Sequence, residues 1–428
     1  MNYLETVITI ITLALSAIMF AIFGTWIYFL QYMNKSFSNS PRLANPSPPF
    51  IKPTFLGSLS DCSRIKTAQD VANLPKVSVI LPARNEEEYI SRCLDSLLQQ
   101  DYPVFEVVAI NDSSSDRTGE IIEHYAARDP RVLYVNADPK PDGWAGKNWA
   151  CYQGYLKATG QLLLFTDADT EHSSNAMSGA VEQIVNQGLD ALTAVPRLLC
   201  KDFWTKITLP ALSIFLHTRF SPLRVNDPKT KTGYFFGSFY LITRTTYEAV
   251  GTHLGVRQEL VEDGALGGKV KNSNFKIIMV RGEHKLTAVW ARDLKTLWHG
   301  LRRLMIPVYL QNRVGASLMA VAVFFLLFEP FAVLPYSIWL EVSENAYGPL
   351  PVLLLAINLA TIVAIVLGSV TQCRRGIFES PIYALGCPAS GAIIAFGFLL
   401  AVADAKREGT VSWRDRRYTV SESQHPIH

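Results

Sequence analysis

Hydrophobic and polar positions follow three different rhythms along this chain. Residues 7–30 carry no charge at all. At about 1.5 Å per residue such a helix reaches roughly 36 Å, enough to cross a hydrocarbon core of about 30 Å. A cleaved signal peptide would want a basic start and a shorter apolar core. Here Glu5 precedes the run and no Lys or Arg does, so the pattern predicts a retained anchor. Three further apolar runs lie near the other end, at about 317–340, 350–370 and 381–403. Glu329-Pro330 interrupts the first and is expected to kink it. Gly386-Cys387-Pro388 sits inside the last, which makes a re-entrant segment an alternative to a span.

The middle of the chain reads differently. Residues 77–81 form a short β-branched run, expected as a buried strand. Over 86–100 the apolar positions Ile90, Cys93, Leu94, Leu97 and Leu98 recur at helical spacing. Residues 105–110, 132–135 and 162–165 read as further strands. Ser115-Asp116 is expected to cap a helix running to Ala127, and 147–159 to form another. Repeated β-α-β units imply an α/β fold, a Rossmann-like, mostly parallel sheet with flanking helices. In such sheets ligands bind at the carboxyl ends of the strands. The polar clusters at 83–86, 111–116 and 167–169 all fall there. A dinucleotide-binding turn would need G-x-G-x-x-G after the first strand; the sequence offers Pro82-Ala83-Arg84-Asn85-Glu86 instead.

These rhythms divide the 428 residues into an anchor (1–34), a Pro- and Ser-rich linker (35–75), a catalytic domain (76–289), an amphipathic helix (290–315), membrane helices (316–404) and a basic tail (405–428). The linker carries Lys35, Arg42, Lys52, Arg64 and Lys66, with Lys76 just after it, whereas the loop after Leu340 carries Glu341 and Glu344 and no base. The positive-inside rule then places the 76–289 domain in the cytoplasm of a multi-pass cell-membrane protein. Four spans would put Lys406, Arg407, Arg414, Arg416 and Arg417 outside, against the same rule. A net charge of +3 gives no footprint for nucleic acid. The six cysteines (Cys62, Cys93, Cys151, Cys200, Cys373 and Cys387) form no C-x-x-C pair, so free thiols are expected rather than a zinc site.

Four clusters can carry chemistry. Asp167-Ala168-Asp169 follows an apolar strand, and carboxylates there can hold a divalent cation against a diphosphate; a capped loop is the plainer reading. Asp112, after the second strand, can accept hydrogen bonds from a base or ribose, while Asp116 serves as a helix cap. In the segment 140–150 two glycines flank Trp144 and Lys147 opens a helix, a position suited to a phosphate. Glu262-Asp263 offers a carboxylate to take a proton from an acceptor hydroxyl, with Asp263 as the base and Glu262 as its neighbour; two acids in the first turn of a helix is the alternative.

The segments VSVILPARNEEEYISRCLDSLLQQDYP, VVAINDSSSDRT, PDGWAGKNWACYQGY and LLLFTDADT resemble family 2 glycosyltransferases of the GT-A fold. GSFYLITRTTYEAVGTHLGVRQELVEDGALGGKVK is closer to the hopanoid- and carotenoid-associated membrane members, and more distantly similar to ceramide glucosyltransferase. The resemblance spans about 76–310. The tail VSWRDRRY is similar to the W-x-G-R-x-Y ending of that group, with Asp415 where glycine is usual. It implies a nucleotide-sugar donor of the UDP type, Mg2+ or Mn2+, an inverting mechanism and a membrane lipid acceptor. Carried over by position, Ala83, Glu86 and Asp112 contact the nucleotide with Arg84 and Asp167 alongside, Asp169 holds the metal, and Asp263 is the base. Polymer-forming members carry Q-x-x-R-W near the membrane; here the stretch reads His299-Gly300-Leu301-Arg302-Arg303. Arg302 can still bind a diphosphate, but the tryptophan is missing, which argues against a processive synthase. A catalytically inactive scaffold is the third reading, disfavoured by the intact acids.

Two stretches mix apolar and basic positions. Trp290, Leu294, Leu297, Leu301 and Leu304 recur at helical spacing, and residues 201–224 combine Phe203, Trp204, Ile207, Leu212, Phe215 and Phe220 with Lys206, His217, Arg219 and Arg224. Both are expected as interfacial helices, with packing on the protein's own core as the alternative. Pro210 should bend the second.

Overall fold

The computed structural model describes residues 3–46, 74–343, 349–408, 410–413 and 416–419. Lys52, Cys62, Arg64, Lys66, Glu344, Arg414 and Asp415 lie outside the described residues. The chain forms two compact units. One comprises Met1–Asn39, Cys200–Arg219 and Trp290–Val411; the other comprises Ser40–Leu199, Phe220–Val289 and Ser412–His428.

The α/β unit is built on ten strands: β1 (Val77–Ala83), β2 (Phe105–Asn111), β3 (Val132–Asn136), β4 (Leu162–Phe165), β5 (Thr170–His172), β6 (Ala191–Val195), β7 (Arg197–Leu198), β8 (Tyr240–Thr243), β9 (Ile277–Arg281) and β10 (Leu286–Ala288). Seven form one sheet in the order β3-β2-β1-β4-β8-β6-β9. It is mostly parallel, as expected; β8 alone runs antiparallel to its neighbours β4 and β6. A small sheet, β5-β10-β7, stands beside it.

The central strands are apolar along their whole length because both faces are covered. Val77, Val79 and Leu81 of β1 join one buried cluster with Leu94, Leu97 and Ile122. Ile80 joins the other, with Val108, Ile110 and Phe165. The helices Ile90–Leu98 and Thr118–Arg128 pack on the first face and Gly146–Lys157 on the second. Gly154 lets that last helix approach closely: a Cβ there would lie 2.6 Å from Ile110 Cδ1. The sheet's β9 edge is partly covered by the segment after the anchor. Arg281 N–H donates to Pro41 O at 2.8 Å and Leu43 N–H to Arg281 O at 2.8 Å.

The helical unit begins with one helix over Tyr3–Asn39. It continues past the expected end of the anchor, because hydropathy marks where lipid contact stops, not where backbone hydrogen bonding does. The expected run at 317–340 is two helices, Arg313–Leu327 and Glu329–Val342, meeting at 45°. The break falls at Glu329-Pro330, where proline removes a donor from the ladder. Other helices repair the break: Trp26 Nε1 donates to Leu326 O at 2.9 Å. The Asn358 amide, suitably turned, bridges Pro330 O (2.8 Å) and Leu334 N (3.2 Å). Leu350–Gln372 is one continuous helix, followed by a turn of π-helix, a 3-10 turn at Pro381–Gly386 and the helix Cys387–Glu408. Among the described residues, three helices are long and apolar enough to cross a membrane, or four if the bent pair is one span.

Both mixed stretches are helical, over Phe203–Arg219 and Leu294–Gln311. Leu297, Leu301 and Met305 of the second are fully buried, and Leu301 packs against Gly397 of Cys387–Glu408. Its apolar stripe therefore faces protein. In the first, Pro210 lies inside the helix, with Ile207, Leu209 and Leu212 buried and Phe203 and Trp204 exposed.

Candidate active site

The first two strand ends lie side by side: Asp112 N–H donates to Ala83 O at 2.8 Å. The following loops then interlock. Arg84 Nη1 donates to Asp112 O (2.7 Å) and Ser113 O (2.9 Å). The N–H of the buried Glu86 donates to Thr118 Oγ1 at 2.8 Å. Asn85 and Ser113 both take φ of 53°, a left-handed conformation that asparagine tolerates better than most side chains. Asp116 is the cap. Its Oδ1 accepts from Thr118 N (3.0 Å) and Thr118 Oγ1 (2.6 Å), and its Oδ2 from Glu87 N (3.1 Å). Burial alone would raise its pKa, but these hydrogen bonds outweigh that and hold the carboxyl below its ordinary value. Asp112 and Ala83 are buried at the strand ends.

The decisive geometry lies one strand further. Lys147, in the first turn of Gly146–Lys157, reaches Asp167 Oδ1 at 2.7 Å and Glu262 Oε1 at 2.6 Å. Asp263 completes the group. Its Oδ2 accepts from Gly237 N at 2.8 Å and its Oδ1 from Gly264 N at 2.8 Å. A Cβ on Gly237 would lie 2.9 Å from Asp263 Oδ2, 3.0 Å from Lys147 Nζ and 3.1 Å from Asp167 Oδ2. One small volume thus holds an ammonium and two carboxylates from distant parts of the chain. Burial would lower the lysine's pKa, but Asp167, Glu262 and Asp263 together outweigh it and hold the ammonium well above its usual value. Burial, reinforced by the neighbouring Glu262, pushes the Asp263 carboxyl up; Lys147 limits the rise.

Buried side chains missed by sequence reasoning support this arrangement. Asn148 Nδ2 donates to Val256 O (2.6 Å) and Glu259 O (3.0 Å). Ala145 N–H donates to Arg257 O at 2.6 Å. Together they fasten the Lys147 turn to the loop that delivers Glu262 and Asp263. Under the Asp167 turn, Thr166 Oγ1 donates to Ser238 O at 2.8 Å and meets His172 Nε2 at 3.0 Å. His172 Nδ1 meets Ser96 Oγ at 3.2 Å. Burial takes the His172 pKa down to about 3, so the ring is a neutral brace. Cys93 Sγ donates to Asp167 O at 3.6 Å. Burial raises that thiol, with Asp169, Asp167, Glu86 and Glu171 adding to the effect. Asp169 is thereby placed near Cys93, half-buried. No residue in this set signals itself by pattern; each looks like ordinary core or turn chemistry. Among the described residues, Cys93, Cys151, Cys200, Cys373 and Cys387 are buried and none forms a disulfide.

Arg302 belongs to the helical unit, where its Nη2 lies 2.9 Å from Asp404 Oδ2. His299 lies on the same helix, half-buried.

Residues 78–251 match the family model for glycosyl transferase family 2. These residues form a family 2 glycosyltransferase domain. The α/β unit is a mostly parallel sheet covered by helices, and Asp112 and Asp167 lie just past the carboxyl ends of β2 and β4. The glycosyltransferase is 26% identical over 360 residues to a 4,4'-diaponeurosporenoate glycosyltransferase of Staphylococcus aureus strain bovine RF122, covering 82% of this chain and 90% of that relative. To the USA300 enzyme of the same name it is 31% identical over 215 residues, 49% of this chain and just over half (55%) of that relative. Among solved structures, a mannosyltransferase from Pyrobaculum calidifontis in complex with GDP-Man and Mn2+ has 18% identity and a TM-score of 0.49, covering 91% of this chain and 98% of that one. S. aureus TarS with UDP-GlcNAc has 16% identity and a TM-score of 0.39, covering 82% and 97%.

Proposed function

We propose that this glycosyltransferase moves a sugar, with inversion, from a nucleotide-diphosphate sugar of the UDP type to a membrane lipid acceptor, and that Asp263 is the base. The convergence of Lys147, Asp167, Glu262 and Asp263 around Gly237 carries the reading. An acceptor hydroxyl placed beside Asp263 gives up its proton to Oδ1 or Oδ2 as its oxygen bonds to the anomeric carbon. The bond from that carbon to the diphosphate oxygen breaks on the opposite face. A carboxyl whose pKa is raised is a stronger base than an exposed aspartate once ionised. Glu262 reinforces that rise and is held in place by Lys147.

Ala83, Arg84, Glu86 and Asp112 line the two strand ends where a base and ribose would lie. Lys147 and Asp167 stand next to them, toward where the diphosphate would lie. Asp167 and Asp169 offer hard carboxylate oxygens only. Among the described residues no group of three or more His, Cys, Asp or Glu side chains is placed to hold a metal ion. That donor set fits Mg2+ or Mn2+ held through one or two carboxylates, with the remaining ligands drawn from substrate phosphate and water. Asp169 would hold it. When bound, the cation neutralises charge on the departing diphosphate.

The relatives' name, 4,4'-diaponeurosporenoate glycosyltransferase, supports a lipid-like acceptor, and the apolar helices support a membrane setting. The basic residues around the helix ends favour a cytoplasmic catalytic domain. The test is a donor screen: purified protein, a panel of nucleotide sugars, Mn2+ or Mg2+, and nucleotide release read with and without membrane lipid extract. A discrete labelled lipid is expected. A growing polymer would replace this reading with a processive synthase, and no turnover with any donor would replace it with an inactive scaffold.

A further inference from the structure

Two boundaries can be read within the helical unit from its own contacts. Leu350–Gln372 runs beside the anchor helix in the same direction. Gln372 Nε2 lies 3.3 Å from Met33 Sδ, and Arg375 Nη1 donates to Asn34 Oδ1 at 3.2 Å. Arg375 also sits over the Phe37 ring, 5.1 Å from its centre. This boundary carries Lys35, Arg374 and Arg375. The opposite one is marked by Tyr3 and Glu5 on the anchor, and by Val342, Ser343 and Leu350; none of these is basic. The bent pair enters at the basic boundary. Its second half meets Asn358, partway along Leu350–Gln372, and its end at Val342 is followed closely by Leu350. Leu294–Gln311, just before the bent pair, carries Lys295, Arg302 and Arg303. Such charges are costly in a bilayer core, so this helix also belongs to the basic boundary.

The last apolar helix is tied to that same boundary at both ends. At its start, Cys387 Sγ lies 3.2 Å from Ser369 Oγ, about one turn before Gln372. Gly386, just before it, packs on Ile207, where a Cβ would meet Cγ2 at 2.5 Å. Farther along, a Cβ on Gly397 would lie 2.9 Å from Leu301 Cδ1. Near its end, Asp404 Oδ2 pairs with Arg302 Nη2 at 2.9 Å. A helix of 22 residues is about 33 Å long, enough to cross a core of about 30 Å if it stood upright. With both ends held at one boundary it cannot do so.

We propose that Cys387–Glu408 lies within the leaflet at the basic boundary and does not cross, so that the chain crosses three times and its C-terminal tail emerges on the face where residue 294 lies. The partner of this helix and its 3-10 lead is the acyl and headgroup region of that leaflet. Ile382, Leu385, Phe396 and Leu400 are exposed on it, which suits acyl chains. Lys406 near its end suits anionic headgroups. The basic tail then obeys the positive-inside rule.

The test is sidedness in the full-length chain. Ser343→Cys and Ser423→Cys are made separately in a Cys62→Ser background and labelled with a membrane-impermeant maleimide, in right-side-out spheroplasts and in inverted vesicles. Ser343→Cys is expected to label only in spheroplasts and Ser423→Cys only in inverted vesicles. Labelling of both from the same side overturns the proposal. If either variant is poorly made or unlabelled, C-terminal fusions to the otherwise natural chain decide. A fluorescent protein that folds only in the cytoplasm is expected to glow, and a phosphatase active only outside to stay silent; the reverse overturns it.

Discussion

Lys147 and Glu262 lie on different helices and meet in an ion pair of 2.6 Å. The same ammonium holds Asp167 at 2.7 Å. One cation thus compensates several acids in a partly buried place, where losing it leaves neighbouring negative charges uncompensated. Lys147→Met should lower lipid glycosylation about 100-fold, or about 2.7 kcal/mol of barrier. It should also move the acidic limb of the pH profile upward, because Asp263 loses the neighbour that limits its rise. Turnover near wild type with an unmoved limb would contradict the electrostatic role.

Asp263→Asn should abolish proton removal while leaving donor binding, read by calorimetry, close to wild type. The expected loss in kcat is about 10²- to 10⁴-fold. As the proposed base, Asp263 must be ionised, and burial together with Glu262 raises its pKa to about 6. The rate should therefore fall as pH drops through about 6, by about tenfold per unit below it. The stability effect has the opposite sign. A carboxyl with a raised folded-state pKa opposes folding above its unfolded pKa, so Asp263→Asn should not lower the melting temperature at neutral pH.

Gly237→Ala probes the shared volume directly. Its new methyl would press on Asp263 Oδ2, Lys147 Nζ and Asp167 Oδ2, each about 3 Å away. Transfer should drop at least 10-fold, with KM for donor rising as kcat falls, and a melting temperature close to that of the natural protein. Unchanged kinetics would mean that these groups are not held together during turnover.

Asp169→Ala should weaken donor binding only when Mn2+ or Mg2+ is present. Chelation of the natural enzyme should lower turnover, and added Mn2+ or Mg2+ should restore it. Metal-independent donor affinity in both proteins would remove Asp169 from the ligand set.

The sheet was readable because its central strands are apolar on both faces and short, and 162–165 was placed to the residue. β8 was not seen: Tyr240–Thr243 follows the loop around Gly237 with no turn signal to mark it. Helix starts were drawn too early, as at 86–100 against Ile90–Leu98, because the buried Glu86 and Tyr89 belong to a turn that continues the apolar pattern. At the site, Asp112, Asp167 and Asp263 stood out as acids at strand or helix ends. Asn148, His172 and Cys93 did not, since a buried polar brace is defined by partners far away in sequence. Lys147 was legible as a cation at a helix start, but its carboxylate partners were visible only once the strands were assembled.

The pairing of Pro41 and Leu43 with Arg281 has a practical consequence for anyone trimming the membrane anchor. Those residues act as a selvedge on the sheet, and Lys285 Nζ and Gln183 clasp the adjoining Ala44. A shortened enzyme beginning after residue 46 would leave the β9 edge raw and ready to pair with a neighbouring molecule. One beginning at Ser40 would keep its hem and should remain monodisperse.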